Sequence, residues 1–186
     1  FAFFTNQGAR FGDIALAANH ILLQIISFSA FFLDGFAFAA EGLVGRAFGA
    51  GDSLQFMAAV RRTSVLAVVS AVVLASIVLL FGGDLIAGLT DLPAVRQAAS
   101  NLTHLAAIYI LLSVAAFQLD GIFIGASCTR QMCYGAIQSV LFFLLVCWML
   151  VPRFEITGLW WAMIAYVVVR AVVLFRYFPQ ALKKMQ

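Results

Sequence analysis

The chain has 186 residues, of which 65% are hydrophobic and 10% charged, with a net charge of +3. Soluble domains carry about a quarter charged residues, so this composition excludes a water-soluble body and points to the bilayer as solvent. No basic block is present, which argues against a nucleic-acid partner. The three cysteines, Cys128, Cys133 and Cys147, lack CxxC spacing and read as small apolar packing residues.

In chain order, the apolar runs read as helices, because a span needs roughly 20 apolar residues and no run shows the period-two alternation of a β-barrel. Residues 1–8 are too short to cross and read as the remnant of a helix. The chain starts at Phe1 without a signal-peptide pattern, so it is expected to be a fragment of a longer protein. Spanning helices are expected at about 14–47, 56–81, 94–127, 131–151 and 156–178. Gly82-Gly83-Asp84, Pro152 and Pro179 are taken as the closures of three of these runs. Asp91 is the expected cap of the helix that has Pro93 in its first turn.

Lys and Arg set the orientation. Arg46, Arg61, Arg62, Arg130, Arg176, Lys183 and Lys184 fall on one side. Arg10, Arg96 and Arg153 fall on the other, each close to an acid. The richer side is expected to be the cytoplasm, with the C-terminus there. Arg170 is expected to snorkel to that interface beside Arg176.

Two acids interrupt the apolar runs in one repeated triplet. "LDGFAFAAEGLVGRAFGAGD" holds Asp34, and "LDGIFIGASCTR" holds Asp120. Asp34 precedes Arg46 by twelve residues and Asp120 precedes Arg130 by ten. At 1.5 Å per residue both acids lie roughly 15–18 Å from the interface, at similar depth. A carboxylate at mid-membrane costs about 2.5–3.5 kcal/mol on insertion scales and belongs to a bundle interior, an ion path or a substrate path. Each can instead be structural, bonding a neighbouring helix. Glu41 lies two turns nearer the cytoplasm on the Asp34 face and is a path candidate or an interfacial, Arg46-paired carboxylate. Asn19, Gln24 and Gln118 are candidates to line the same cavity. His20 and His104 read as interface or packing residues. Gly45/Gly49 and Gly121/Gly125 have the GxxxG spacing of close helix approach. The dense "FSAFFLDGFAF" patch is lipid-facing, or walls a cavity for aromatic cations.

"GAGD" at 49–52 matches the GxGD of intramembrane aspartyl proteases. That chemistry needs two aspartates paired within the membrane, whereas Asp52 falls beyond Arg46, so the match is rejected. No nucleophile–base pair, phosphate loop or metal-ligand spacing is found, so neither enzyme activity nor a cofactor or metal is expected.

Together "QGARFGD", "ANHILLQ", "LDGFAFAAEGLVGRAFGAGD" and "LDGIFIGASCTRQM" resemble the MATE multidrug and toxic-compound extrusion transporters, and among them the DinF-like branch. The resemblance implies an all-α integral membrane fold: the C-terminal six-helix lobe of a twelve-helix transporter, with helix seven truncated and helices eight to twelve following. It implies efflux of small organic, often cationic compounds by alternating access, in antiport with H+ or Na+, in the bacterial inner membrane. The N-terminal lobe and membrane lipid are the implied partners. Asp120 matches a position where relatives hold a cation-binding acid, whereas Asp34 receives no family role. The branch usually carries its coupling acid on the first helix of the N-terminal lobe, outside this chain. A lipid or lipid-linked oligosaccharide flippase of the same superfamily and a non-transporting scaffold are the alternatives.

Overall fold

The computed structural model describes residues 2–183, with side chains from Phe4 to Leu182. Short helix α1 (Ala2–Gly8) leads through a 3-10 turn at Ala9–Phe11 into α2 (Asp13–Gly49), α3 (Ser53–Leu89), α4 (Pro93–Gly125) and α5 (Thr129–Lys183). Helix α5 is a hairpin of two arms, 129–154 and 156–183, broken at Glu155, whose φ of 48° and ψ of −126° lie outside helical space. Pro152 lacks the N–H that a continuing helix would use, and the chain turns three residues later. Gly158 then lets the arms close, since a Cβ there would meet the Leu150 carbonyl at 2.5 Å. Gly135 lies against Leu174 further along, and Phe143 meets Tyr166 edge to face at 6.1 Å.

Helices α2 and α3 have 37 residues each, about 55 Å at 1.5 Å per residue, well over a ~30 Å hydrocarbon core. All four long helices are apolar enough to cross a membrane. Their outward faces are greasy: Leu80 is 76% exposed and Phe175 68%. In water such a surface would aggregate, whereas in lipid it is the solvated face.

The corners follow from local chemistry. Helix α2 ends in a Schellman motif: the Asp52 N–H donates to the Ala47 carbonyl and the Gly51 N–H to Phe48. Gly51 takes the left-handed φ of 68° that this cap requires. Asp52 then caps α3 by accepting the Gln55 N–H at 2.9 Å. The "GAGD" run is therefore a helix-to-helix corner. Helix α4 ends in the same motif, with Cys128 N–H donating to Phe123 and Ser127 N–H to Ile124, but Ser127 fills the left-handed position at φ 53°.

Four local expectations are corrected. Helix α3 does not stop at Gly82-Gly83 but runs on to Leu89. Gly82 is a contact glycine there, since a Cβ would collide with the Thr103 methyl of α4. Asp91 does not cap α4: Leu92 holds the cap position without a side-chain bond. The Asp91 carboxylate takes Arg96 at 3.1 Å instead. Pro179 does not end α5, which continues to Lys183. Arg170 does not snorkel outward, as described below.

Helices α2 and α4 are parallel neighbours in close contact. Gly121 faces the Ala37 backbone, and Gly125 faces Glu41 and Gly45, where a Cβ would meet the Glu41 carbonyl at 2.5 Å. Those contacts, rather than distance to an arginine, set the two LDG triplets side by side. Gly49 meets nothing within 4 Å, so only the Gly45 half of its GxxxG pair packs. Three apolar clusters form the core. The smallest joins Leu33, Ala67, Ala71 and Val114 midway along α2, and two larger ones lie towards its ends. One of these joins Leu22, Ile86, Leu105 and Trp160 at the end where α2 begins. The other joins Val44, Phe56, Phe123 and Leu174 at the end where it finishes. The polar residues described next lie between them.

Candidate functional site: an acidic cleft between α2, α4 and α5

A cleft of about 370 Å³ opens between α2, α4 and the second arm of α5, at the small end of ligand-pocket sizes. Ile26, Ala30 and Phe31 of α2, Tyr109 and Phe117 of α4, and Tyr166 of α5 supply apolar and aromatic wall. Three charged groups line it: Asp34, Asp120 and Arg170. Helical spacing explains the convergence. Asp120 precedes Gly121, where α4 lies closest to α2, and Asp34 lies three residues before Ala37, the facing position. Arg170 follows Tyr166 by four residues, on the same face of its helix.

Arg170 grips Asp120 with two parallel hydrogen bonds. Its Nε donates to Oδ2 at 3.0 Å and its guanidinium NH2 group to Oδ1 at 2.8 Å. Side-chain exposure is 14% for Arg170 and 28% for Asp120, so the pair is largely withdrawn from its surroundings. This two-pronged geometry is the strong form of a carboxylate–guanidinium bond. Asp34 is half-buried and lines the same cleft as Asp120. It takes part in none of the ion pairs among the described residues. With all three groups ionised, the cleft carries a net charge of −1 and one uncommitted carboxylate.

Other sequence candidates are distributed elsewhere. Asn19 is 1% exposed and sits in the core, where its Oδ1 accepts the Trp160 indole N–H at 2.9 Å. Gln118 is also buried, and its Nε2 donates to Thr63 Oγ1 of α3 at 2.6 Å. Two residues turn a helix by about 200°, so Gln118 and Asp120 point nearly opposite ways. Gln24 lines a separate groove between α2 and α3, together with Asp84. Asp84 was hidden in the sequence by the apparent helix stop before it. Glu41 is half-buried and outside the cleft lining, and it is not paired with Arg46 among the described residues. His20 and His104 are exposed. Among the described residues no cluster of His, Cys, Asp and Glu could hold a metal ion.

Comparison with known proteins agrees with this architecture. Residues 3–149 match the MatE family model. The chain is 37% identical over 136 residues to DNA damage-inducible protein F of Escherichia coli (strain K12), a match covering 71% of this chain and 29% of that protein. Its fold is similar to that of the eukaryotic MATE transporter AtDTX14, with a TM-score of 0.80 and 19% identity over 93% of this chain and 41% of that one. The chain thus spans less than half the length of either relative. With a family match over most of its length, helices long enough to cross a bilayer and a fold like that of a solved transporter, this chain is an integral membrane protein of the MatE family.

Proposed function

We propose that this chain is the C-terminal lobe of a secondary active exporter, which moves small organic cations out of the bacterial cell in exchange for protons or sodium ions. The observation that carries the reading is the cleft itself: two mid-helix carboxylates on neighbouring parallel helices, walled by Phe31, Phe117, Tyr109 and Tyr166. Carboxylates at this depth are expensive in lipid and mark ion or substrate paths. Aromatic faces beside them suit organic cations. The negative balance of the cleft favours cations over anionic lipid headgroups.

In the full-length protein this lobe supplies half of the cavity wall, and the N-terminal lobe supplies the other half and its own coupling acid. The distribution of lysines and arginines supports a cytoplasmic C-terminus. Binding of a cation at the carboxylates biases the two lobes toward one packing, because a ligand shifts a conformational equilibrium only through its differential affinity for the two states. The test is export of a fluorescent organic cation from cells expressing the full-length protein. Asp120→Asn is expected to lower export at unchanged membrane abundance. Export at the wild-type rate would count against the reading.

A further inference from the structure

Resting on that reading, we infer that Arg170 is a tethered counter-ion: it holds the Asp120 carboxylate while the cleft is empty, and an arriving organic cation displaces it. The geometry makes Asp120 a closed site. Both of its oxygens are engaged, at 3.0 and 2.8 Å, so a free cation meets a carboxylate whose charge is already matched. Asp34 lies in the same cleft without an ion-pair partner among the described residues, and is the carboxylate a cation meets first. Occupation of the cleft by a monovalent cation beside Asp34 then repels the guanidinium and weakens its hold on Asp120.

Stability alone is a poor reason for this pair. Withdrawing two charges from a polar medium consumes most of the attraction between them, and apolar residues of equal size often hold two elements together as well or better. An exchangeable contact has a further consequence. Arg170 stands on the second arm of α5 and Asp120 on α4, so releasing one from the other loosens the α4–α5 seam only when cargo has arrived. With a monovalent cation in the cleft, its charge and that of Arg170 together balance Asp34 and Asp120, so the exchange leaves no net charge in the cleft.

The inference makes a prediction opposite in sign to a structural role. Binding of tetraphenylphosphonium to the purified full-length protein is measured for wild type, Arg170→Gln, Arg170→Lys and Arg170→Gln/Asp120→Asn, with thermal melting of each. Arg170→Gln is expected to bind the cation about tenfold more tightly while transporting it more slowly. The double variant is expected to lose that gain. Arg170→Lys, with a point charge in place of the planar fork, is expected to bind roughly threefold more tightly and settles the matter if Arg170→Gln does not fold. Unchanged or weaker binding in the folded variants overturns the inference and leaves the exporter reading standing, as does a gain that survives Asp120→Asn. A wild-type protein that does not bind the cation overturns both.

Discussion

Gly121 of α4 lies directly against the backbone of Ala37 of α2, close enough that a single added methyl would collide with the Ala37 carbonyl. This contact aligns the two parallel helices and sets Asp34 and Asp120 about 3 Å apart in level along them. Gly121→Ala is expected to destabilise the full-length protein by about 1–3 kcal/mol, the usual cost of overpacking, and Gly125→Ala by a similar amount. Gly49→Ala, with nothing within 4 Å, is expected to be neutral or to stabilise by up to about 1 kcal/mol. Detergent-solubilised melting curves check all three, and equal effects at 121 and 49 would contradict the packing described.

The corners supply a second test. Ser127 and Glu155 adopt positive φ values, 53° and 48°, without being glycine. Such conformations cost a non-glycine residue roughly 1–3 kcal/mol. Ser127→Gly and Glu155→Gly are each expected to raise thermal stability, partly offset by the added freedom of the unfolded chain. Gly51→Ala, at φ 68° in the matching cap of α2, is expected to lower it by about 1 kcal/mol. The opposite ordering in melting temperature would refute the cap assignment.

Much of this arrangement was legible in the sequence. The helices showed as long apolar runs, and the LDG repeat announced two acids on helices of like direction. What failed were local stop signals. Gly82-Gly83 reads as a breaker by composition, but in a membrane bundle a glycine equally serves as the hollow that admits Thr103. Pro179 reads as a terminus, yet the helix accommodates it. Arg170 reads as an interfacial residue because of its closeness to Arg176 in sequence. A better signal was available: thirteen residues before Lys183, it lies at nearly the depth that Asp120 has relative to Arg130. Gln118 reads as a cleft residue by its adjacency to Asp120, but the turn of the helix carries it round to Thr63 of α3. The Asp120–Arg170 pairing is a long-range contact with no local signature, and only the packing of α5 on α4 reveals it.

Buried polar pairs away from the cleft test the core. Gln118 is 5% exposed and donates to Thr63 at 2.6 Å. Thr63→Val alone removes the acceptor and strands the amide, at an expected cost of about 1–3 kcal/mol. Replacing both, as Gln118→Leu with Thr63→Val, is expected to recover most of that loss. A double-mutant cycle on thermal stability reads the coupling, and additive losses would show that the bond contributes nothing specific.

Trp160 and Asn19 tie the second arm of α5 to α2 through a 2.9 Å hydrogen bond, and Phe4 of α1 packs edge to face on the same indole at 5.4 Å. Trp160→Phe keeps most of the ring but leaves the Asn19 oxygen without its donor. A loss of about 1–3 kcal/mol is expected, with export per folded molecule unchanged because the pair lies outside the cleft. Lower export per folded molecule would show that this seam takes part in transport.

The central claim is that the uncommitted carboxylate of the cleft lies on the transport path. Gradient-driven export of an organic cation by the full-length protein in everted membrane vesicles, compared between wild type and Asp34→Asn at equal abundance, tests it most directly. A loss of tenfold or more, about 1.4 kcal/mol or greater, is the predicted result; export at the wild-type rate would contradict the account.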